Sequence, residues 1–232
     1  MIVVVCREKV VVFRLHPNKG YDRIAKKRKG RRKMIKNIVF DIGNVCVDFC
    51  YREFFESFGF SDEIVDRVCK ATAENKVWDL GDGGKVSEEE LLEVFVAQDP
   101  EIEPYIRKVY ENFSGIIRER EETIPWIEEL RAKGYGVYYL SNYPSKIERE
   151  CADQMKFITH MDGGILSYKV GMVKPDGEIY QKLLEMYDLK AEECLFLDDR
   201  ADNCRAAEQE GFSAIRFTTR EEVLEKMAQM GI

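Results

Sequence analysis

Three times along this 232-residue chain a short run rich in β-branched and aromatic residues ends on a polar side chain and gives way to a helix-like segment. IKNIVF (35–40) runs into Asp41, GVYYL (136–140) into Ser141 and Asn142, and CLFL (194–197) into Asp198 and Asp199. Such runs, too short for helices and apolar on successive residues, match strands buried on both faces of a parallel sheet. Helix signals fill the intervals. Pro125 opens WIEELRAK and Gly134 closes it, Asp176 precedes EIYQKLLEMY, Gly211 follows CRAAEQE, and Thr219 with Glu222 has the spacing of a capping box. Strand and helix in alternation predict an α/β fold, a doubly wound parallel sheet.

Residues 51–120 break that alternation with helical patterns at 62–77, 87–97 and 102–112, a capping box at Ser87 and Glu90, and no convincing strand. The spacing predicts a small α-helical cap over 51–120, inserted into a Rossmann-like core made of 34–50 and 121–232. No stretch approaches the ~20 apolar residues of a membrane helix. The opening MIVVV is short and its charges follow it, the reverse of a secretory signal. Seven scattered cysteines without a CxxC predict free thiols in a reducing cytoplasm. With only His16 and His160 there is little room for a histidine-rich metal site, and a Ser-His-Asp triad would have to use one of the two.

The net charge of −7 is unevenly spread. Residues 1–33 carry twelve Lys/Arg against Glu8 and Asp22, so 34–232 holds −17. The run KKRKGRRK (26–33) has the charge to meet phosphates but no aromatic or motif support. Residues 1–33 are therefore expected to be a disordered extension or to lie upstream of a start at Met34. The acidic remainder makes nucleic acid and membranes improbable partners.

In open α/β sheets ligands bind outside the carboxyl ends of the strands, so residues that terminate apolar strands converge however far apart they lie in sequence. Asp41, Ser141, Asp198 and Asp199 all stand there. Three carboxylates at one edge repel unless a cation joins them, and oxygen donors of this kind select Mg²⁺. Lys174, in the polar loop MVKPDG, can supply further positive charge.

FDIGNV (40–45), YLSN (139–142), KVGMVKPDGEIY (169–180) and FLDDRADN (196–203), in this order, resemble the haloacid dehalogenase superfamily of aspartate-nucleophile phosphohydrolases. The resemblance covers 35–217 and is nearest to the subset with D-x-G-N-V at the first site and a helical cap of the subfamily IA kind, which includes α-glucose-1-phosphate phosphatases. It implies a Mg²⁺-dependent phosphomonoesterase acting on a small metabolite, a sugar phosphate and in particular a hexose 1-phosphate. Residue by residue it implies Asp41 as nucleophile, and Asp41, the Gly43 carbonyl and Asp199 as Mg²⁺ ligands, with Asp198 joining directly or through water. Ser141 and the Asn142 amide would hold the phosphate. Lys174 would neutralise nucleophile and phosphoryl oxygens, both binding and catalytic.

The chain departs from the majority pattern at Gly43, where most of these phosphatases carry a second aspartate that protonates the leaving group and then activates water. Asn44 and Asp48 are the nearest stand-ins, although an amide cannot shuttle a proton. Gly43 also leaves open a non-catalytic protein that binds a phosphoryl ligand or partner. LGDGGKVS (80–87) lacks the GKS/T of a nucleotide P-loop and reads as a turn before a helix, with Trp78 in reach of a sugar.

Overall fold

The computed structural model describes residues 34–232 together with the backbone of Ile2–Cys6 and Lys9–Phe13. Those two segments, β1 (Ile2–Cys6) and β2 (Lys9–Phe13), pair as an antiparallel hairpin inside the stretch read from sequence as a disordered extension. The basic run 26–33 lies outside the described residues.

After the hairpin come β3 (Asn37–Phe40) and β4 (Val47–Phe49), then a helical block of α1 (Tyr51–Glu56), α2 (Asp62–Ala71), α3 (Asp79–Asp82), α4 (Glu88–Gln98) and α5 (Glu103–Tyr110). The chain returns through β5 (Ile117–Glu119) and then alternates: α6 (Thr123–Ala132), β6 (Gly136–Ser141), α7 (Ser145–Glu150), β7 (Gly163–Leu166), α8 (Ser167–Val170), α9 (Gly177–Met186), β8 (Cys194–Asp198), α10 (Ala201–Gln209), β9 (Ser213–Arg216) and α11 (Arg220–Met230).

Five strands form one parallel sheet in the order β7-β6-β3-β8-β9. This is the doubly wound α/β architecture expected from the alternating pattern. Side-chain alternation sends Val39 and Phe196 to one face, where they pack with Ile179, Tyr180, Leu183 and Ala207. Ile38, Phe40, Leu195 and Leu197 face the opposite layer with Trp126, Ile127 and Val223. Burial on both faces is why these strands read as continuous apolar runs. Phe196, with no exposed surface, would cost about 3–5 kcal/mol to truncate to alanine.

Register then brings the three strand ends together. Phe40 lies opposite Tyr139 on one side and Leu197 on the other. Asp41 therefore emerges level with Asp198 and beside Ser141, its amide still donating to the Leu197 carbonyl at 2.8 Å.

The interval 51–120 is not wholly helical, since Ile117–Glu119 forms β5 and pairs antiparallel with β4, Val47 opposite Glu119 and Phe49 opposite Ile117. Three residues, two of them charged, carry too little periodicity to register as a strand in sequence. The ribbon joins the two chain crossings between helical block and sheet. Caps followed the sequence in part: the Ser87–Glu90 box forms on α4. At α11 the Thr219 hydroxyl accepts from the Glu222 amide, but the Glu222 carboxylate accepts from Thr218 instead.

Candidate active site

Asp41 is buried at the carboxyl end of the central strand, and three donors converge on the same oxygen, Oδ1. They are the Ser141 hydroxyl at 2.7 Å, the Lys174 ammonium at 2.8 Å and the Ile42 amide at 2.7 Å. Lys174 is itself 3% exposed and also donates to Asp198 Oδ2 at 2.7 Å, so one ammonium bridges two carboxylates. Burial pulls the Lys174 ammonium down, but the charges of Asp198 and Asp41 outweigh it and hold the group above its usual range. Burial pushes the Asp41 carboxyl up to about 7, Lys174 opposing and Asp198 adding to the rise.

Asp198 has no exposed surface and is surrounded by donors. Besides Lys174, the Arg200 amide reaches Oδ1 at 2.8 Å and Asn203 Nδ2 lies 3.1 and 3.0 Å from its two oxygens. Asp199 points differently: it is partly exposed and takes one hydrogen bond from Asn44 Nδ2 at 3.2 Å. Asn44 holds a left-handed backbone, φ 56°, a region that asparagine tolerates better than most residues. Its side chain fixes Asp199 by that hydrogen bond, and an amide cannot shuttle a proton.

Asn142 clamps the loop that carries Lys174. Its Nδ2 donates to the Lys174 carbonyl at 2.9 Å and its Oδ1 accepts from the Lys174 amide at 2.7 Å. Its side chain thus positions the lysine, a duty sequence reading did not assign. Asp48 is not brought to the site, because it sits on β4 and pairs with Arg120 Nε at 2.7 Å.

Ligand oxygens of Asp41, Asp198 and Asp199 lie within 4.8 Å of one another. One buried ammonium faces these three carboxylates, an excess of negative charge that a divalent cation balances. The all-oxygen donor set fits a hard ion, with Gly43 also on the cavity wall.

A cavity of about 330 Å³ opens over this cluster, its lining completed by the helical block with Asn75, Trp78, Asp79 and Asp82. Gly84 of LGDGG explains how the block comes so close. A Cβ at Gly84, φ +61°, would stand 2.7 Å from the Tyr168 carbonyl oxygen, whereas one at Gly81 would lie 2.8 Å from Leu91 Cδ2 within the block itself. The segment is a docking turn. Ser167 fastens it: its hydroxyl donates to the Asp82 carbonyl at 2.5 Å and accepts from the Tyr143 amide at 2.9 Å. The Trp78 ring packs against Phe49, Phe95 and Phe113 and forms part of the cavity wall.

Asp82 is the lining residue that sequence reading passed over. It is 5% exposed, and its Oδ1 has no hydrogen-bond partner. Asn203 was also missed, although its place in the first turn after Asp198 and Asp199 is a sequence signal that could have found it.

The family model described as haloacid dehalogenase-like hydrolase matches residues 35–211. A D-ribitol-5-phosphate phosphatase of Bacteroides thetaiotaomicron is 28% identical over 196 residues, 79% of this chain and 92% of its own. A chloroplast flavin mononucleotide hydrolase of Arabidopsis thaliana is 24% identical over 218 residues, 91% of this chain and 82% of its own. A sesquiterpene phosphatase of Aspergillus oryzae is 25% identical over 144 residues, 62% of this chain and 74% of its own. Among solved structures, a HAD family enzyme of Bacteroides thetaiotaomicron superimposes with a TM-score of 0.61 at 20% identity, covering 82% of this chain and 98% of that one.

Proposed function

The chain belongs to the haloacid dehalogenase-like hydrolases, and from that premise we propose that it is a Mg²⁺-dependent phosphatase of a small sugar phosphate, working through an aspartyl-phosphate on Asp41. It is a hydrolase of phosphoric monoesters, the activity named for the relatives that span most of its length. One observation carries the reading: a buried carboxylate at the strand end whose Oδ1 is tied by Ser141, Lys174 and a main-chain amide. The other oxygen is left to attack phosphorus.

Phosphoryl transfer asks for positioning and charge stabilisation more than for covalent work by many residues. Asp41 attacks, Ser141 and the Asn142 amide hold phosphoryl oxygens, and Lys174 offsets the charge that gathers on nucleophile and phosphate. Asp41, Asp199 and the Gly43 carbonyl would hold Mg²⁺, while Asp198, its oxygens occupied by Lys174, Arg200 and Asn203, steadies them. When bound, that ion shields an anionic nucleophile from an anionic substrate. A neighbouring HAD family structure, at 20% identity, was determined with magnesium and inorganic phosphate.

The helical block serves as a cap that limits water around the phosphoryl group. With glycine at 43, esters whose alcohols leave easily are favoured, and an anomeric hydroxyl is more acidic than a primary one. Hexose 1-phosphates are therefore preferred over 6-phosphates. The free thiols of Cys46, Cys50, Cys69, Cys151, Cys194 and Cys204 fit a cytoplasmic setting, and among the described residues no helix is long and apolar enough to cross a membrane.

The test is release of inorganic phosphate from hexose 1- and 6-phosphates, pentitol phosphates and mononucleotides, each with and without Mg²⁺. Turnover of a sugar phosphate that requires Mg²⁺ is expected. Release from none of them would favour the ligand-binding reading that Gly43 suggests.

A further inference from the structure

Resting on the reading of Asp41 as nucleophile, we propose that Asp82, contributed by the helical block, is the general acid and base that Gly43 cannot be. In-line displacement puts the leaving oxygen on the side of phosphorus opposite the attacking oxygen. Asp41 stands on the sheet wall, so the leaving oxygen faces the wall built by the helical block. A proton donor on that side needs no carboxyl at position 43.

Four carboxyl or phenol groups line the cavity without belonging to the phosphate-handling set. Tyr143 is engaged through its hydroxyl with Met155 Sδ at 3.2 Å, and Glu74 is exposed and takes a hydrogen bond from Tyr51. Asp79 is exposed at the rim. Asp82 alone of the four is a buried carboxyl, with one oxygen lacking any protein partner. Buried polar atoms are nearly always satisfied, so an orphaned carboxyl oxygen on a substrate cavity has the marks of a group kept for the substrate.

Its position is also fixed relative to the nucleophile. Asp82 is tied through its carbonyl to Ser167, Ser167 to the Tyr143 amide, and two residues earlier Ser141 bonds Asp41. Burial, reinforced by Asp79, opposed by Lys174 and Arg200 and raised slightly further by Asp41, pushes the Asp82 carboxyl up to about 7. A group so poised can both give and take a proton near neutrality.

In the first step Asp41 Oδ2 forms a bond to phosphorus as the ester P–O bond breaks. The Asp82 carboxyl gives its proton to the departing oxygen, which leaves as the alcohol. In the second step the Asp82 carboxylate takes a proton from water as that water's oxygen bonds to phosphorus. The bond to Asp41 then breaks and inorganic phosphate is released.

The experiment compares Asp82→Asn with wild type in the full chain, using a hexose 6-phosphate, whose alkoxide leaves poorly, and 4-nitrophenyl phosphate, whose phenolate leaves unaided. Because kcat/KM reports only transfer to Asp41, it isolates protonation of the leaving group. It should fall at least 100-fold for the 6-phosphate and less than tenfold for the aryl ester. Mn²⁺ affinity, read by paramagnetic resonance, should change less than twofold. Equal losses on both esters would overturn the proposal, and a tenfold loss of Mn²⁺ affinity would make Asp82 a metal ligand instead. Should Asp41→Asn still turn over the aryl ester while Asp82→Asn discriminates as stated, the nucleophile reading fails and the acid assignment stands.

Discussion

At the scale of single residues, the site works by placing ionisable groups where water cannot neutralise them. Asp41→Asn keeps the shape and an oxygen for Ser141 but offers a poor nucleophile, so phosphatase activity should fall at least 10³-fold with the circular dichroism spectrum unchanged. Retention of a tenth of the wild-type rate would refute its role. Asp82 gives a prediction about stability. Its folded value of about 7 exceeds the ordinary 3.8, so the folded state holds the proton more tightly than the unfolded chain. That preference favours folding at low pH, and stability is lost as pH rises from about 4 through about 7. Asp82→Asn carries no such penalty. In chelated protein the variant should match wild type near pH 4 and exceed it by about 1–3 kcal/mol at pH 8 in urea melts. A variant less stable at pH 8 than at pH 4, relative to wild type, would contradict the buried-carboxyl picture. Gly43 gives a third. A Cβ there meets nothing within 4 Å, so Gly43→Asp has room for the missing carboxyl. In an Asp82→Asn background it should restore hexose 6-phosphates more than 1-phosphates, since acid catalysis helps most where the leaving alcohol is most basic. Equal improvement of both would show that leaving-group acidity does not set the preference.

At the scale of elements, what was legible in the sequence is what local patterning controls. β3, β6 and β8 could be read because burial on both faces demands unbroken apolar runs, and their terminal Asp41, Ser141 and Asp198 could be read with them. β5 could not, because IRE forms a strand only through its pairing with Val47–Phe49. Asp82 escaped for a related reason. LGDGG looks like a turn, and only the packing of α3 against Ser167 and α8 places its aspartate over the cavity. Gly84 there answers to a tertiary contact that sequence reading cannot see. Gly84→Ala tests this, because the new methyl would stand 2.7 Å from the Tyr168 carbonyl oxygen in a backbone region that alanine disfavours. We expect about 1–3 kcal/mol of destabilisation together with a rise in KM, as the block is pushed off its seat. Lost stability with unchanged kinetics would mean that the contact serves folding alone.

At the scale of the whole molecule, charge is divided unevenly along the chain. The +10 of residues 1–33 stands against −17 in 34–232, and among the residues whose side chains are described burial begins at Ile35, 7% exposed, directly after Met34, 70% exposed. From there onward the strand ends, the lysine loop and the helical block all lie within 35–211, the span that the family model matches. Lys36 is already tied to the sheet, its ammonium 2.9 Å from Glu193 Oε1. Nothing that the proposed chemistry uses precedes Met34. A chain beginning at Met34 should therefore fold, melt within about 3 °C of the full-length protein, a difference of roughly 1 kcal/mol for a domain of this size, and keep kcat/KM within twofold. Removing a dense cationic segment should act instead on long-range attraction of the anionic substrate, which salt screens over about 10 Å at 0.1 M. Any loss should then appear as a higher KM at low ionic strength and vanish as salt is added, with kcat untouched. A lower kcat that persists at high salt, or a chain that fails to fold without its first 33 residues, would make that segment a structural part of the enzyme.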